Sequence, residues 1–208
     1  LEMYLDFMNQ SEKIRKSIFT FALTVLMLSS AALIFGSLVI STLGLGDNSR
    51  RLVSAFWVAA AVGGVALTLK RWQRLDDQSV GLVSAPFGSV IAACLLGLCL
   101  SPLLGFLAAE IRTLVHGSMP NPQVEQLFLT QGTHLQWFLL GGFVIIAVPL
   151  AEEFLYRGVL FGFISRQASN LTAIWVTAII FGIAHYDVAN SVGTGILGLA
   201  LGWFRSHT

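Results

Sequence analysis

From Ile18 to Leu45 the chain runs for 28 residues with nothing more polar than Ser, Thr and Gly. As one helix this segment would rise roughly 42 Å, more than the roughly 30 Å hydrocarbon layer of a bilayer, so it tilts or projects. Five further apolar stretches follow: Leu52 to Leu69, Phe87 to Ala109, Trp137 to Ile164, Leu171 to His185, and the shorter Val192 to Phe204. None alternates with the period of a strand in a barrel-like series, and a bilayer accepts only helices and closed barrels. The sequence therefore predicts an all-α polytopic transmembrane helical bundle of about six spans, with residues 1–208 forming a single integral membrane domain.

Composition agrees. Charged residues make up 11% of the chain, against roughly a quarter in soluble domains, too few to cover a water-soluble particle of this size. The net charge of +1 leaves no basic field to hold a phosphate backbone, so nucleic acid is excluded as a partner. Cys94 and Cys99 share one apolar run without CxxC spacing or a nearby histidine cluster, and read as buried thiols rather than a disulfide or a metal site. The first apolar run is too long for a signal peptide and lacks a small-residue cleavage site. The chain opens on Leu and stops in mid-pattern, which reads as a piece of a longer product truncated at its C-terminus.

Basic residues set the expected orientation. Lys13, Arg15, Lys16, Lys70, Arg71, Arg74, Arg166 and Arg205 fall on one side of the alternating spans, and Arg50, Arg51 and Arg112 on the other. The positive-inside rule then puts the N-terminus in the cytoplasm. The cluster Arg74, Asp76 and Asp77 reads as a surface loop, and Arg112 to Gln136 as the longest polar connection, with Pro120 and Pro122 inside it. Pro86 suits a helix start, whereas Pro102 is expected to kink the third span. Gly63–Gly64, Gly141–Gly142 and the glycines at 193, 195, 198 and 202 suit close helix packing. Gly36 has only Ile40 one turn on, so a small-residue step is expected only near the C-terminus.

The residues that most need a reason are acidic. Glu152 and Glu153 follow the apolar run Phe143–Ala151 and precede Phe154 and Leu155, where a carboxylate is expensive. Glu153 and Arg157 are four apart in the orientation that favours an ion pair. Glu152 has Tyr156 at that spacing and no cation. One glutamate is thus neutralised by arginine and one is left free. A buried, unpaired glutamate has the property of a general base, and could also ligate a metal. The bland alternative is a salt-bridge cluster where a helix leaves the bilayer. The second anomaly is His185, closing the fifth apolar stretch with Phe181 one turn earlier and Gly182 beside it. By itself it reads as a satisfied polar or interface residue. Together, a carboxylate and an imidazole on successive spans can orient and deprotonate a water, with or without a metal. Asp187 and Asn190 read either as supports behind the site or as loop residues, with loop favoured, and His116, His134 and His207 read as connection residues without ligand partners. No HExxH zinc motif is present. Measured across a layer roughly 30 Å thick, Glu152 and His185 would sit about 13 Å apart in height, a gap that a break at Pro149 or a later start of the fourth span would close.

The two segments resemble a known family. Glu152-Glu153-Phe154-Leu155-Tyr156-Arg157-Gly158 is similar to the EExxxRG motif of the CPBP family, intramembrane proteases that include the CAAX prenyl endopeptidase and the bacterial Abi or bacteriocin-immunity-type proteins. Phe181-Gly182-Ile183-Ala184-His185 resembles that family's FxxxH motif, and the run from Gly195 to Thr208 its approach to a last helix. The likeness covers about 135–208. It implies that Glu152 activates water, that Glu153 and Arg157 are its paired neighbour and structural partner, and that His185 completes this half of the site beside Phe181. The family also carries a helix with HxxxN or HxxxD, and the sequence stops before it; His207 does not take that place. The resemblance implies amide hydrolysis of membrane-embedded, lipidated or prenylated peptide substrates in contact with the lipid bilayer. A metal-independent glutamate site is favoured; a zinc ion on Glu152 and His185 is the alternative, with two ligands where a catalytic zinc usually has three from the protein. A compact chain of this kind suggests a bacterial inner membrane. The competing readings are a non-catalytic homologue acting as chaperone, immunity or interaction partner, and a small transporter with Glu152 on an ion path. A transporter should show repeated halves, and no internal repeat is visible.

Overall fold

The computed structural model describes residues 2–82, 87–117 and 133–207, and every regular element among them is helical. Pro86, Pro120 and Pro122 lie outside the described residues, as do the side chains of Cys94 and His116. Helix α1 spans Glu2–Thr42, α2 Asp47–Trp72 and α3 Phe87–His116. The fourth helix, α4, runs His134–Ser165; α5 is Asn170–Ile183 and α6 Val188–His207. Four of these (Met8–Thr42 within α1, α2, Ile91–Val115 within α3, and α4) are long and apolar enough to cross a membrane, and α5 is a shorter apolar helix.

Each apolar stretch became a helix, but several are longer than hydrophobicity alone indicates. Helix α1 begins well before Ile18, with an exposed Glu12–Lys16 pair at 2.6 Å in its polar extension. Helix α4 starts at His134 because Thr133 and Gln136 form a reciprocal cap. The Thr133 hydroxyl accepts the Gln136 N–H at 3.3 Å and the Gln136 side chain accepts the Thr133 N–H at 3.0 Å. Helix α3 continues past Ala109 to His116, so Arg112 lies in a helix rather than opening a connection. His134 and His207 likewise occupy helix ends. Pro102 sits inside an uninterrupted α3. Cys99 is exposed, not buried, since the side of α3 that carries it faces away from the other helices.

The core gathers around the second half of α4. Leu155, Val159, Leu160 and Ile164 meet Ile18, Phe21 and Val25 of α1, Ala66 and Leu69 of α2, and Ala173 and Phe181 of α5. The close approaches occur at glycines, though not all those expected. Gly198 and Gly202 let α6 lie on α5, where a Cβ would sit 3.0 Å from Ala178 Cα and 3.4 Å from Ile174 respectively. Gly36 holds the Trp57 indole, whose Nε1 donates to the Ala32 carbonyl at 3.0 Å. That contact between α1 and α2 needs one large and one small residue, so a search for paired small residues misses it. Gly64, Gly141 and Gly142 face open space, and Gly63 only touches Ala151.

The segment Gln73–Leu82 is pinned beneath the bundle. Arg166 pairs with Asp76 and donates to the Ser79 hydroxyl at 3.1 Å, Lys70 pairs with Asp77, and Arg205 donates to the Ser79 carbonyl at 3.3 Å. Lys70, Arg166 and Arg205, assigned to one side of the membrane by sequence, thus converge at one end of the bundle.

Candidate active site

Two π-helical turns, Phe143–Ala147 and Phe154–Leu160, flank the short α-helical piece Val148–Glu153 within α4. Such turns are uncommon and cluster at functional sites. The helix is continuous through Pro149, so no break is available to move Glu152. Glu152 and His185 nevertheless line one cavity of about 530 Å³, together with Glu153, Arg157 and Phe181. The expected height mismatch does not keep them apart, since both line this cavity, and α4 at 32 residues is longer than the span on which the mismatch was reckoned. Measured from the turn that joins α4 to α5, Glu152 is roughly 20 Å back along α4 and His185 roughly 22 Å along the path of α5. The two levels agree. The bilayer faces were the wrong reference.

Arg157 organises the site. Its side chain is only 5% exposed, its Nη1 lies 3.1 Å from Glu153 Oε1, and its guanidinium carbon stands 4.2 Å from the centre of the Phe181 ring. Charge pairing and the ring face together offset burial of the cation. Phe181 in turn packs against Tyr156 and meets the His185 ring edge-on, each at 4.9 Å between centroids. One phenyl ring therefore links the two segments. The motif glycine has a local reason as well: a Cβ on Gly158 would lie 3.0 Å from the Val80 carbonyl oxygen.

His185 occupies the turn just after α5. Its Nδ1 is 2.9 Å from the Phe181 carbonyl oxygen. A carbonyl only accepts, so Nδ1 is the protonated nitrogen there, and a neutral ring would leave the lone pair on Nε2. Glu152 makes no ion pair among the described residues, whereas Glu153 does. His185 and Arg157 are within electrostatic reach of Glu152. The same cavity is lined by Leu197, Leu201 and Phe204 of α6, which supply apolar surface, and by Ala93 of α3 with Thr194 and Arg205 of α6. The arrangement offers a proton acceptor, an imidazole with a free nitrogen, and an apolar surface for a substrate.

No three His, Cys, Asp or Glu side chains converge on a possible metal position among the described residues. Glu152 and His185 supply two donors, and Glu153 is tied to Arg157. A catalytic zinc uses three protein ligands, so the described residues do not form a complete zinc site.

Sequence reasoning missed several residues. Arg112, assigned to a connection, reaches Asp187 at 2.8 Å. Asp187, read as a loop residue, accepts the Asn190 N–H at 2.9 Å and caps α6. The Asp-x-x-Asn spacing ahead of a glycine-rich helix was the available signal for the cap. Nothing in the sequence signals the partner seventy-five residues away.

The bundle and its cavity define a polytopic α-helical membrane protein with a carboxylate and an imidazole inside the helix assembly. Residues 134–208, about a third of the chain, match the family of type II CAAX prenyl endopeptidases described as Rce1-like, which supports the resemblance to the CPBP, or CAAX-protease, family over that segment. The matched segment holds α4, α5 and α6, the three helices that carry the cavity's polar groups. No curated protein and no solved structure matches the chain.

Proposed function

We propose that the protein is an intramembrane endopeptidase that hydrolyses a peptide bond of a membrane-embedded, lipidated or prenylated substrate. The observation that carries this reading is the separation of the two adjacent glutamates. Glu153 is held by Arg157, while Glu152 shares a cavity with His185 and makes no ion pair among the described residues. In the reaction, Glu152 takes a proton from a water molecule, and the water oxygen forms a bond to the substrate carbonyl carbon. The carbonyl π electrons move to oxygen. On collapse of the tetrahedral adduct the C–N bond breaks, and the proton held by Glu152 passes to the leaving amine. His185 Nε2 accepts a hydrogen bond from the attacking water and fixes its direction. The apolar surface of α6 takes the lipid or apolar side chains of the substrate.

The end of the bundle where Lys70, Arg166 and Arg205 gather is the cytoplasmic one in this reading, with the N-terminus on the same side. A bacterial inner membrane is the proposed setting.

The test uses the full-length gene product in proteoliposomes and an internally quenched, farnesylated peptide ending in Cys-aliphatic-aliphatic-Xaa. Glu152→Gln and His185→Ala should each lower kcat by roughly 10²- to 10⁴-fold, the scale of general acid–base catalysis, at unchanged folded yield. Cleavage unaffected by Glu152→Gln would overturn the reading. A folded wild-type protein that binds the peptide without cutting it would favour the non-catalytic interaction partner.

A further inference from the structure

The turn that carries His185 is held from three sides. Arg112, near the end of α3, is 11% exposed; its Nη2 lies 2.8 Å from Asp187 Oδ1 and 3.4 Å from Asn190 Oδ1. The same Asp187 oxygen accepts the Asn190 N–H, so one carboxylate joins α3 to the first turn of α6. Between Asp187 and His185, Tyr186 takes the left-handed conformation at φ +53°. A bulky residue adopts it only when its surroundings over-determine the backbone. Its hydroxyl is hydrogen-bonded to Ser30 of α1. Among the described residues the imidazole's hydrogen bond and ring contact are both to Phe181, through Nδ1 and the ring edge. Its main chain is two residues from the ion pair.

We propose that the Arg112–Asp187 pair fixes the His185 turn and so sets the position of the imidazole in the cavity, which makes Arg112 a positioning residue of the site. This rests on the proposed role of His185. The Asp187 backbone is anchored by the cap on α6, but its side chain without Arg112 has no cation, and the strained Tyr186 step can relax. Relaxation turns the His185 main chain. A displacement of about 1 Å at a reacting group is enough to lower a rate by roughly 10²-fold.

The experiment compares wild type, Arg112→Ala, Arg112→Lys and Asp187→Asn of the full-length product in proteoliposomes. Two readouts are taken: kcat and KM on the quenched farnesylated peptide, and the rate at which diethyl pyrocarbonate modifies His185, followed by peptide mass spectrometry. Asn at position 187 keeps the cap on α6 but removes the charge, which separates the two roles of that carboxylate. Arg112→Ala and Asp187→Asn should lower kcat by roughly 10- to 100-fold with KM within twofold, and change the rate of His185 modification several-fold. Arg112→Lys should restore most of both. If Arg112→Ala does not fold, Arg112→Lys and Asp187→Asn carry the comparison. The proposal is overturned if kcat and His185 reactivity stay within twofold of wild type in Arg112→Ala or Asp187→Asn. It is also overturned if only folded yield falls. Unchanged cleavage by His185→Ala would instead refute the site assignment, and the reactivity of His185 would still decide whether Arg112 positions it.

Discussion

The two halves of α4 are equally apolar to the eye and opposite in burial. In the first half Phe138 is 78% exposed, Ile145 75% and Leu150 65%; in the second, Leu155, Val159, Leu160 and Ile164 are fully buried. The difference follows from what interrupts the apolar residues. The second half carries Gly158 and Gly162, which admit the backbone of Val80 and Ser79, and Arg157, which fixes Glu153 and Phe181. Gly141 and Gly142 of the first half admit nothing. In a bilayer lipid competes with protein for every leucine, so hydrophobicity places a helix in the membrane without placing a face in the core. Close backbone approach and paired charges do that.

The largest effect expected from this contrast is at the boundary of the halves. Glu153→Ala leaves the Arg157 guanidinium buried without its carboxylate, a change that costs about 3–5 kcal/mol when a buried pair is broken. Glu152→Ala removes a group that makes no ion pair among the described residues, so its folded yield in detergent should stay near wild type. Equal yields for the two would remove the division of labour. Next come paired truncations along the helix. Leu160→Ala should cost about 2–5 kcal/mol in a reversible unfolding measurement, and Leu150→Ala no more than about 0.5 kcal/mol. Similar losses would mean that the first half packs against protein.

The same contrast explains what the sequence revealed. Spans were legible because twenty apolar residues have few other uses, and Glu153 with Arg157 was legible because helical spacing alone brings them together. The Phe181–His185 spacing placed the phenyl ring beside the imidazole for the same reason. Local rules reach one turn. The height match of Glu152 and His185 was hidden because it depends on how far α4 extends past the bilayer, which polar caps decide rather than apolar length. Arg112 with Asp187, and Trp57 with Gly36, join different helices and have no local signature. The burial of one half of α4 over the other was equally unreadable, because it is set by contacts with α1, α2 and α5 and by the loop Gln73–Leu82 against Gly158 and Gly162, all distant in sequence.

A smaller effect separates the glycines themselves. A Cβ on Gly162 would lie 2.5 Å from the Ser79 carbonyl oxygen, so backbone must shift to admit it. Gly162→Ala should therefore destabilise by about 1–3 kcal/mol, as overpacking does. Gly141→Ala meets open space and gains helix propensity, so it should be neutral or stabilising by up to about 1 kcal/mol. Thermal unfolding of the two variants side by side gives the sign. A stabilised Gly162→Ala would show that the loop does not dock on this half.

The smallest expected effect concerns the charges that hold that loop from outside the membrane. Hydrogen bonding from Ser79, with the nearby Arg166 cation, holds the Asp76 carboxyl below its ordinary value of 3.8. A carboxyl lowered on folding contributes stability that is fully present above 3.8 and is lost as pH falls through its folded value. Hydrogen exchange at the amides of Val80, Gly81 and Leu82, which are bonded to Asp76, Gln78 and Asp77 carbonyls, should show no change in protection from pH 7 to about 5 after correction for intrinsic rates. Protection should then fall below pH 3.8. Asp76→Asn should remove that pH step. Because the pair is exposed, added salt should weaken it as well, whereas the Glu153–Arg157 pair, whose guanidinium is buried, should respond less. Protection that stays flat down to pH 3 would mean that Gly158 and Gly162 hold the loop by packing alone, and would make the buried half of α4 independent of the charges beneath it.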